Sequence, residues 1–98
     1  MKYAVLFEDN DEFAHMRPKF MADHLQFLCD NSETIEAAGP MKDGMTQDPA
    51  GGLWIVEADN PEQVQSLVEA DPFWPTGLRQ SIRILEWTQV YVDGKKQI

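Results

Sequence analysis

Residues 51–73 read GGLWIVEADNPEQVQSLVEADPF, and this stretch decides the fold. Its first part alternates. Leu53 and Ile55 face one side, and Trp54, Val56 and Ala58 face the other, so a strand with two apolar faces is predicted from Gly52 onward. A helix follows, and its start is marked residue by residue. Asn60 is an N-cap, Pro61 sits at the first helical position, and Glu62 complements the positive end of the helix dipole. Gln63 completes an arrangement resembling a capping box. Val64, Leu67 and Val68 recur as a buried stripe. Asp71-Pro72 ends the helix, because a residue before proline avoids the helical region.

The same reading extends in both directions. Lys2–Glu8, KYAVLFE, is a strand with Tyr3, Val5 and Phe7 on one face and Ala4 and Leu6 on the other. A polar break over 9–12 precedes a helix predicted near 18–31, with Pro18 in its first turn. Phe20, Met21, Leu25, Phe27 and Leu28 supply its apolar stripe, and Cys29 is read as a buried small hydrophobe. Thr34–Ala38 reads as a short strand closed by Gly39-Pro40, and 41–51 as a loop. Downstream, Phe73–Gly77 is an aromatic turn and Arg79–Val92 a long last strand. Asp93-Gly94 is a turn, and the chain closes with a tail. One domain over 1–92 with a tail over 93–98 is expected.

The order is βαββαβ, the ferredoxin-like pattern of the α+β class. Two helices cover one face of a four-stranded antiparallel sheet. The strands are nevertheless apolar on both faces, so the uncovered face needs a partner, and a second copy packed sheet to sheet is the simplest one. A homodimer is expected.

Composition bounds the function. The chain has 98 residues, 43% of them hydrophobic, which suits one folded domain and not two. Seventeen acidic residues against eight basic ones give a net charge of −9. The bases are scattered, so neither nucleic acid nor an anionic membrane surface is an expected partner. No apolar run has the length of a membrane span. The N-terminus turns acidic within eight residues, so no secretory signal is expected. A single cysteine suits a reducing, cytoplasmic compartment.

His24 is the first candidate for chemistry. It neighbours the apolar stripe of the first helix, and Arg17 stands seven residues back. An imidazole there can act as general acid or base near neutral pH; the alternative is a hydrogen-bonded, partly buried histidine. Asp71 lies at the C-terminal end of the second helix, where the dipole disfavours a negative charge. It either meets a compensating partner such as an imidazolium or is an ordinary turn residue before proline. Gly39-Pro40 and Gly51-Gly52 either let a ligand approach the backbone or simply make turns or bulges. His15 and His24 show no metal-ligand spacing, so no metal is expected.

Five segments in this order resemble the YciI-like, or YCII-related, proteins: KYAVLFED at the N-terminus, HLQFL (His24–Leu28), AGPM (Ala38–Met41), GGLWIVEADN (Gly51–Asn60) and ADPF (Ala70–Phe73). The resemblance covers about Met1 to Val90. It implies a dimeric α/β barrel built from ferredoxin-like subunits, with a His-Asp pair that maps onto His24 and Asp71. Some members carry a serine where this chain has Gly52, and an arginine upstream of the histidine maps onto Arg17. One relative type is a dehydrochlorinase acting on a chlorinated hydroxyhydroquinone. The resemblance therefore implies a small, cofactor-independent lyase or isomerase working by proton transfer on a small ring. His24 would shuttle the proton and Asp71 would fix its tautomer. Arg17 would hold an anionic substrate, with Met41, Phe73 and Trp74 as apolar walls. A non-catalytic ligand-binding or regulatory dimer is the other reading.

Overall fold

The structure, a computed structural model, describes residues 1–98. Strand β1 (Lys2–Asp9) leads through a short 3₁₀ turn at Asp11–Phe13 into helix α1 (Met16–Asp30). Strands β2 (Ile35–Lys42) and β3 (Pro49–Glu57) follow, then helix α2 (Pro61–Ala70), a second 3₁₀ turn at Trp74–Thr76 and strand β4 (Arg79–Glu86). The sheet order is β2-β3-β1-β4, with every neighbouring pair antiparallel. This is the ferredoxin-like arrangement expected from the element order.

The alternation of β1 fixes which face is covered. Tyr3, Val5 and Phe7 are buried, and they pair across the sheet with Val56, Trp54 and Gly52. Trp54 is 1% exposed and meets Phe7 edge to face at 5.1 Å. Val64 and Val68 of α2 close this core, and Phe27 and Leu28 of α1 pack against it. The opposite face carries Ala4, Leu6, Leu53, Ile55 and Leu85, matched in register, and no helix lies over it.

Helix α2 begins as its punctuation dictates: the Asn60 side chain accepts from the Gln63 amide at 2.9 Å, and Asp71 is the C-cap. Helix α1 keeps Met21, Phe27 and Leu28 of its predicted stripe partly buried but departs from it at two positions. His24 is its buried residue, whereas Leu25 is 52% exposed and Cys29 is exposed too. The inward face runs through Arg17, Met21, His24 and Leu28. Leu25 and Cys29 lie roughly 100° and 140° around the helix from His24.

Three strand boundaries also move. Strand β3 begins at Pro49, before the expected Gly52, so the expected loop over 41–51 narrows to 43–48. Strand β2 runs through Gly39-Pro40 to Lys42. It is an edge strand, where a proline without an amide hydrogen is tolerated. The last strand ends at Glu86, short of the expected Val92. Tyr91–Val92 instead pair with Lys95–Lys96 in a hairpin, with Asp93 and Gly94 at positive φ in its turn. No helix is long and apolar enough to cross a membrane.

Candidate active site

His24 and Asp71 meet. Nδ1 of His24 and Oδ1 of Asp71 are 2.9 Å apart, and both side chains are almost wholly buried. The contact joins the middle of α1 to the C-cap of α2. The same Oδ1 accepts the Phe73 backbone N–H at 3.1 Å. The other oxygen, Oδ2, lies 3.8 Å from Nη2 of Arg79. These partners offset the unfavourable placement of a carboxylate at a helix C-terminus. A carboxylate only accepts, so Nδ1 of the neutral imidazole carries the hydrogen and Nε2 holds the free lone pair. The Phe73 ring stacks on the imidazole at 4.2 Å with a 19° interplanar angle, which fixes the ring plane.

A cavity of about 80 Å³ opens beside this pair. Arg17 and His24 line it from the inner face of α1, Gly39 and Gly52 from the strands, and Arg79 from the start of β4. Met21, Leu25 and Leu28 contribute apolar wall. Both glycine segments singled out in the sequence thus reach the cavity, through Gly39 and Gly52. Gly51 has another task, since it adopts φ +81 and packs directly on the Phe7 carbonyl.

The expected apolar walls lie elsewhere. Phe73 is fully buried and supports His24 from the side of Asp71, without lining the cavity. Trp74 is 36% exposed in the 3₁₀ turn, away from the cavity. Met41 lines a shallow groove on the uncovered side of the sheet with Leu53 and Ile55. Its position in β2 determines this, because alternation sends successive side chains to opposite faces.

Two residues that the sequence reading passed over complete the site. Asp9, at the end of β1, is bonded by Arg17 and lies 3.3 Å from Nη1 of Arg79. The Arg79 side chain is 3% exposed, with its guanidinium 4.0 Å from the Phe7 ring centre and 5.3 Å from that of Phe73. Its Nε hydrogen has no partner. Burial pulls the Arg79 pKa below its ordinary value; Asp9 and Asp71 oppose that shift, while Arg17 adds to it. A guanidinium keeps its charge through such a shift. No group of three or more His, Cys, Asp or Glu side chains converges as a metal-ligand set.

Comparison with known proteins places the chain in a family and agrees with its fold. The chain matches the YCII-related domain over residues 1–88. Among solved structures it is similar to a 5-chloro-2-hydroxyhydroquinone dehydrochlorinase from Burkholderia phenoliruptrix in complex with 2,5-dihydroxybenzoquinone. That similarity has 28% identity and a TM-score of 0.78, and it covers 90% of this chain and 94% of the other. An Arabidopsis thaliana protein aligns at 15% identity over 94% of this chain and 97% of its own, with a TM-score of 0.47. No curated protein matches the chain.

Proposed function

The chain belongs to the YCII-related domain family, and from that premise we propose that it is a small, cofactor-independent enzyme of the lyase or isomerase type. In this reading His24 moves a proton on a small ring held in the cavity against α1. The observation that carries the proposal is the 2.9 Å contact between His24 and Asp71 beside a cavity that Arg17 also lines. The dehydrochlorinase chemistry of the similar structure supports the reaction class.

The residues divide the work as follows. Asp71 holds the hydrogen on Nδ1, so Nε2 is the base. Nε2 takes a proton from a ring hydroxyl or ring carbon, and the electron pair left behind moves into the ring. In a lyase the ring has first taken a keto form, in which a hydroxyl proton has moved to the carbon bearing the leaving group. The pair then forms a ring double bond as it expels an anion such as chloride from that saturated carbon. In an isomerase the imidazolium returns the proton to a neighbouring ring atom. Asp71 stabilises the imidazolium in the interval, which is the role of the third member of a catalytic triad. Arg17 lines the cavity from the same helix face as His24 and draws a ring oxygen toward it.

A non-catalytic ligand-binding or regulatory role is favoured by one observation. The His24 side chain is only 7% exposed and is clamped between Asp71 and Phe73, as a purely structural pair would be. Turnover separates the two readings. Chloride release from 5-chloro-2-hydroxyhydroquinone, and exchange of ring protons with deuterated water in related hydroxylated rings, are measured for the wild type and for His24→Gln. The expected result is wild-type turnover or exchange that falls by about 10²–10⁴ in the variant. Equal rates in the two proteins, or no reaction in either, would leave the binding module in front.

The proposed assembly is a homodimer with the uncovered sheet faces packed together, as the apolar row Leu6, Leu53, Ile55 and Leu85 favours. A cytoplasmic location is the companion proposal. It suits a chain whose one cysteine, Cys29, is exposed and unpaired.

A further inference from the structure

We propose that Arg79 is a substrate anchor, and that the cavity therefore takes a ring bearing an ionised oxygen (a phenolate, an enolate or a hydroxyquinone anion) in preference to a neutral ring of the same size. The inference rests on the reading of this cavity as the substrate site and specifies what that site selects.

The charges around the cavity are sorted by position. Arg17 and Arg79 line it, whereas the carboxylates that face them, Asp9 and Asp71, do not. In a chain with only eight basic residues and a net charge of −9, two of the eight converge on one small cavity. A ligand in the cavity therefore borders two guanidinium groups and neither carboxylate.

Arg79 is also short of partners. A guanidinium has five N–H donors in a rigid fork. Here a single hydrogen bond is made, from Nη1 to Asp9 at 3.3 Å. The approach to Asp71 at 3.8 Å is an ion pair beyond hydrogen-bond reach, and Nε–H bonds nothing. Asp9 is shared with Arg17, so neither arginine has a carboxylate to itself. Buried donors are nearly always satisfied, so a buried guanidinium with this much unused donor capacity beside a cavity is suited to take a ligand oxygen.

The cation is held for recognition rather than left mobile. The Phe7 and Phe73 rings lie against the guanidinium and fix its position. Gly52 leaves space next to it, since a Cβ there would stand 3.4 Å from Nη1 and 3.5 Å from the Gly39 carbonyl oxygen. The absent side chain is the room through which a ligand oxygen reaches Nη1. The same two-arginine wall would draw a flat anion across the cavity toward His24.

The experiment compares two rings of similar size. 2,5-Dihydroxybenzoquinone, which is ionised at neutral pH, and hydroquinone, which is neutral, are titrated calorimetrically into the wild-type protein, Arg79→Lys and Arg79→Met. Circular dichroism monitors the fold of each. The wild type is expected to bind the anion at least ~10-fold more tightly than the neutral ring, the factor one hydrogen bond to a charged group supplies. Arg79→Lys keeps the charge but loses the fork, and the preference narrows. Arg79→Met removes it while hydroquinone affinity stays within a few-fold. Equal affinity of the two rings for the wild type overturns the anchor, whatever the variants do, and leaves the proton-transfer reading standing. A preference that persists undiminished in Arg79→Met also overturns the anchor, and failure of both rings to bind the wild type overturns the anchor and the proton-transfer reading together.

Discussion

His24 and Asp71, 47 residues apart in the chain, share a 2.9 Å hydrogen bond that ties the middle of α1 to the end of α2. Asp71 serves more than this one partner, because Oδ1 also takes the Phe73 amide and Oδ2 faces Arg79. Removing the carboxylate charge therefore leaves a buried guanidinium and an imidazole short of a partner together. Asp71→Asn should destabilise the fold by about 3–5 kcal/mol, the cost of breaking a buried charged pair. His24→Gln should cost about 1–3 kcal/mol, as the loss of one buried hydrogen bond does. Urea unfolding monitored by tryptophan fluorescence ranks the two. A His24 variant less stable than the Asp71 variant would show that Asp71 is not the hub.

Gly51 is fixed by the backbone of the neighbouring strand. Its φ is +81, and a Cβ built on it would stand 1.8 Å from the Phe7 carbonyl oxygen. That oxygen belongs to β1 and cannot swing aside as a flexible side chain would. Gly51→Ala should thus lower stability by more than about 1–3 kcal/mol, the strain of a non-glycine residue at positive φ, because the collision adds to it. Gly52→Ala next door, with its closest contact at 3.4 Å, should be tolerated far better. Thermal denaturation of the two alanine variants gives the comparison. Equal melting temperatures would remove the claim.

The sequence was most legible where local rules and tertiary packing agree. The alternation of β1 and the Asn60-Pro61 start of α2 survive in the structure as read. The stripe of helix α1 was legible through Met21, Phe27 and Leu28, but not at Leu25 and Cys29, which are apolar enough to suggest a core yet stay exposed while a histidine takes the buried position. The candidate pair, His24 and Asp71, was legible through the HLQFL and ADPF segments; Arg79 was not. Simple alternation from Ile82 and Ile84 places Gln80 on the covered face and Arg79 on the other. A register shift between Glu8 and Asp9 pairs Asp9 with Arg79 and reverses that assignment. Such a bulge depends on two strands at once, so the last strand read alone gives no sign of it.

The loop between β2 and β3 carries a pH-sensitive clasp. The backbone amides of Thr46 and Met45 donate to the Asp43 carboxylate at 3.0 and 2.8 Å, and they hold its pKa below the ordinary value. A group with a lowered folded-state pKa stabilises above its unfolded pKa and loses that contribution as pH falls through the folded value. The clasp should therefore be intact at neutral pH and release only below the usual carboxylate range. Amide chemical shifts of Met45 and Thr46 followed from pH 7 downward report this directly. They should move together with a midpoint below that of a free aspartate side chain, and Asp43→Asn should abolish the step. A midpoint at or above the free value would contradict the clasp.

The uncovered face of the sheet gives the last prediction. Ala4 pairs with Ile55 and with Leu85, Leu6 pairs with Leu53, and Trp87 at 43% exposure borders the same surface. Each of these side chains would lose water contact if two such faces met, at about 25 cal/mol for each Å² of apolar area removed. A single glutamate at the centre of that contact would be buried twice, once from each copy, with no cation opposite. Ile55→Glu should therefore turn a dimer into a monomer at micromolar concentration while the monomer keeps its circular dichroism spectrum, since Ile55 lies outside the core beneath the helices. Ala22→Glu, on the exposed side of α1, should leave the assembly unchanged. Light scattering coupled to size exclusion decides between one chain and two. A wild-type protein that elutes as a monomer at high concentration would overturn the dimer, and an Ile55→Glu variant that remains a dimer would move the interface off this face.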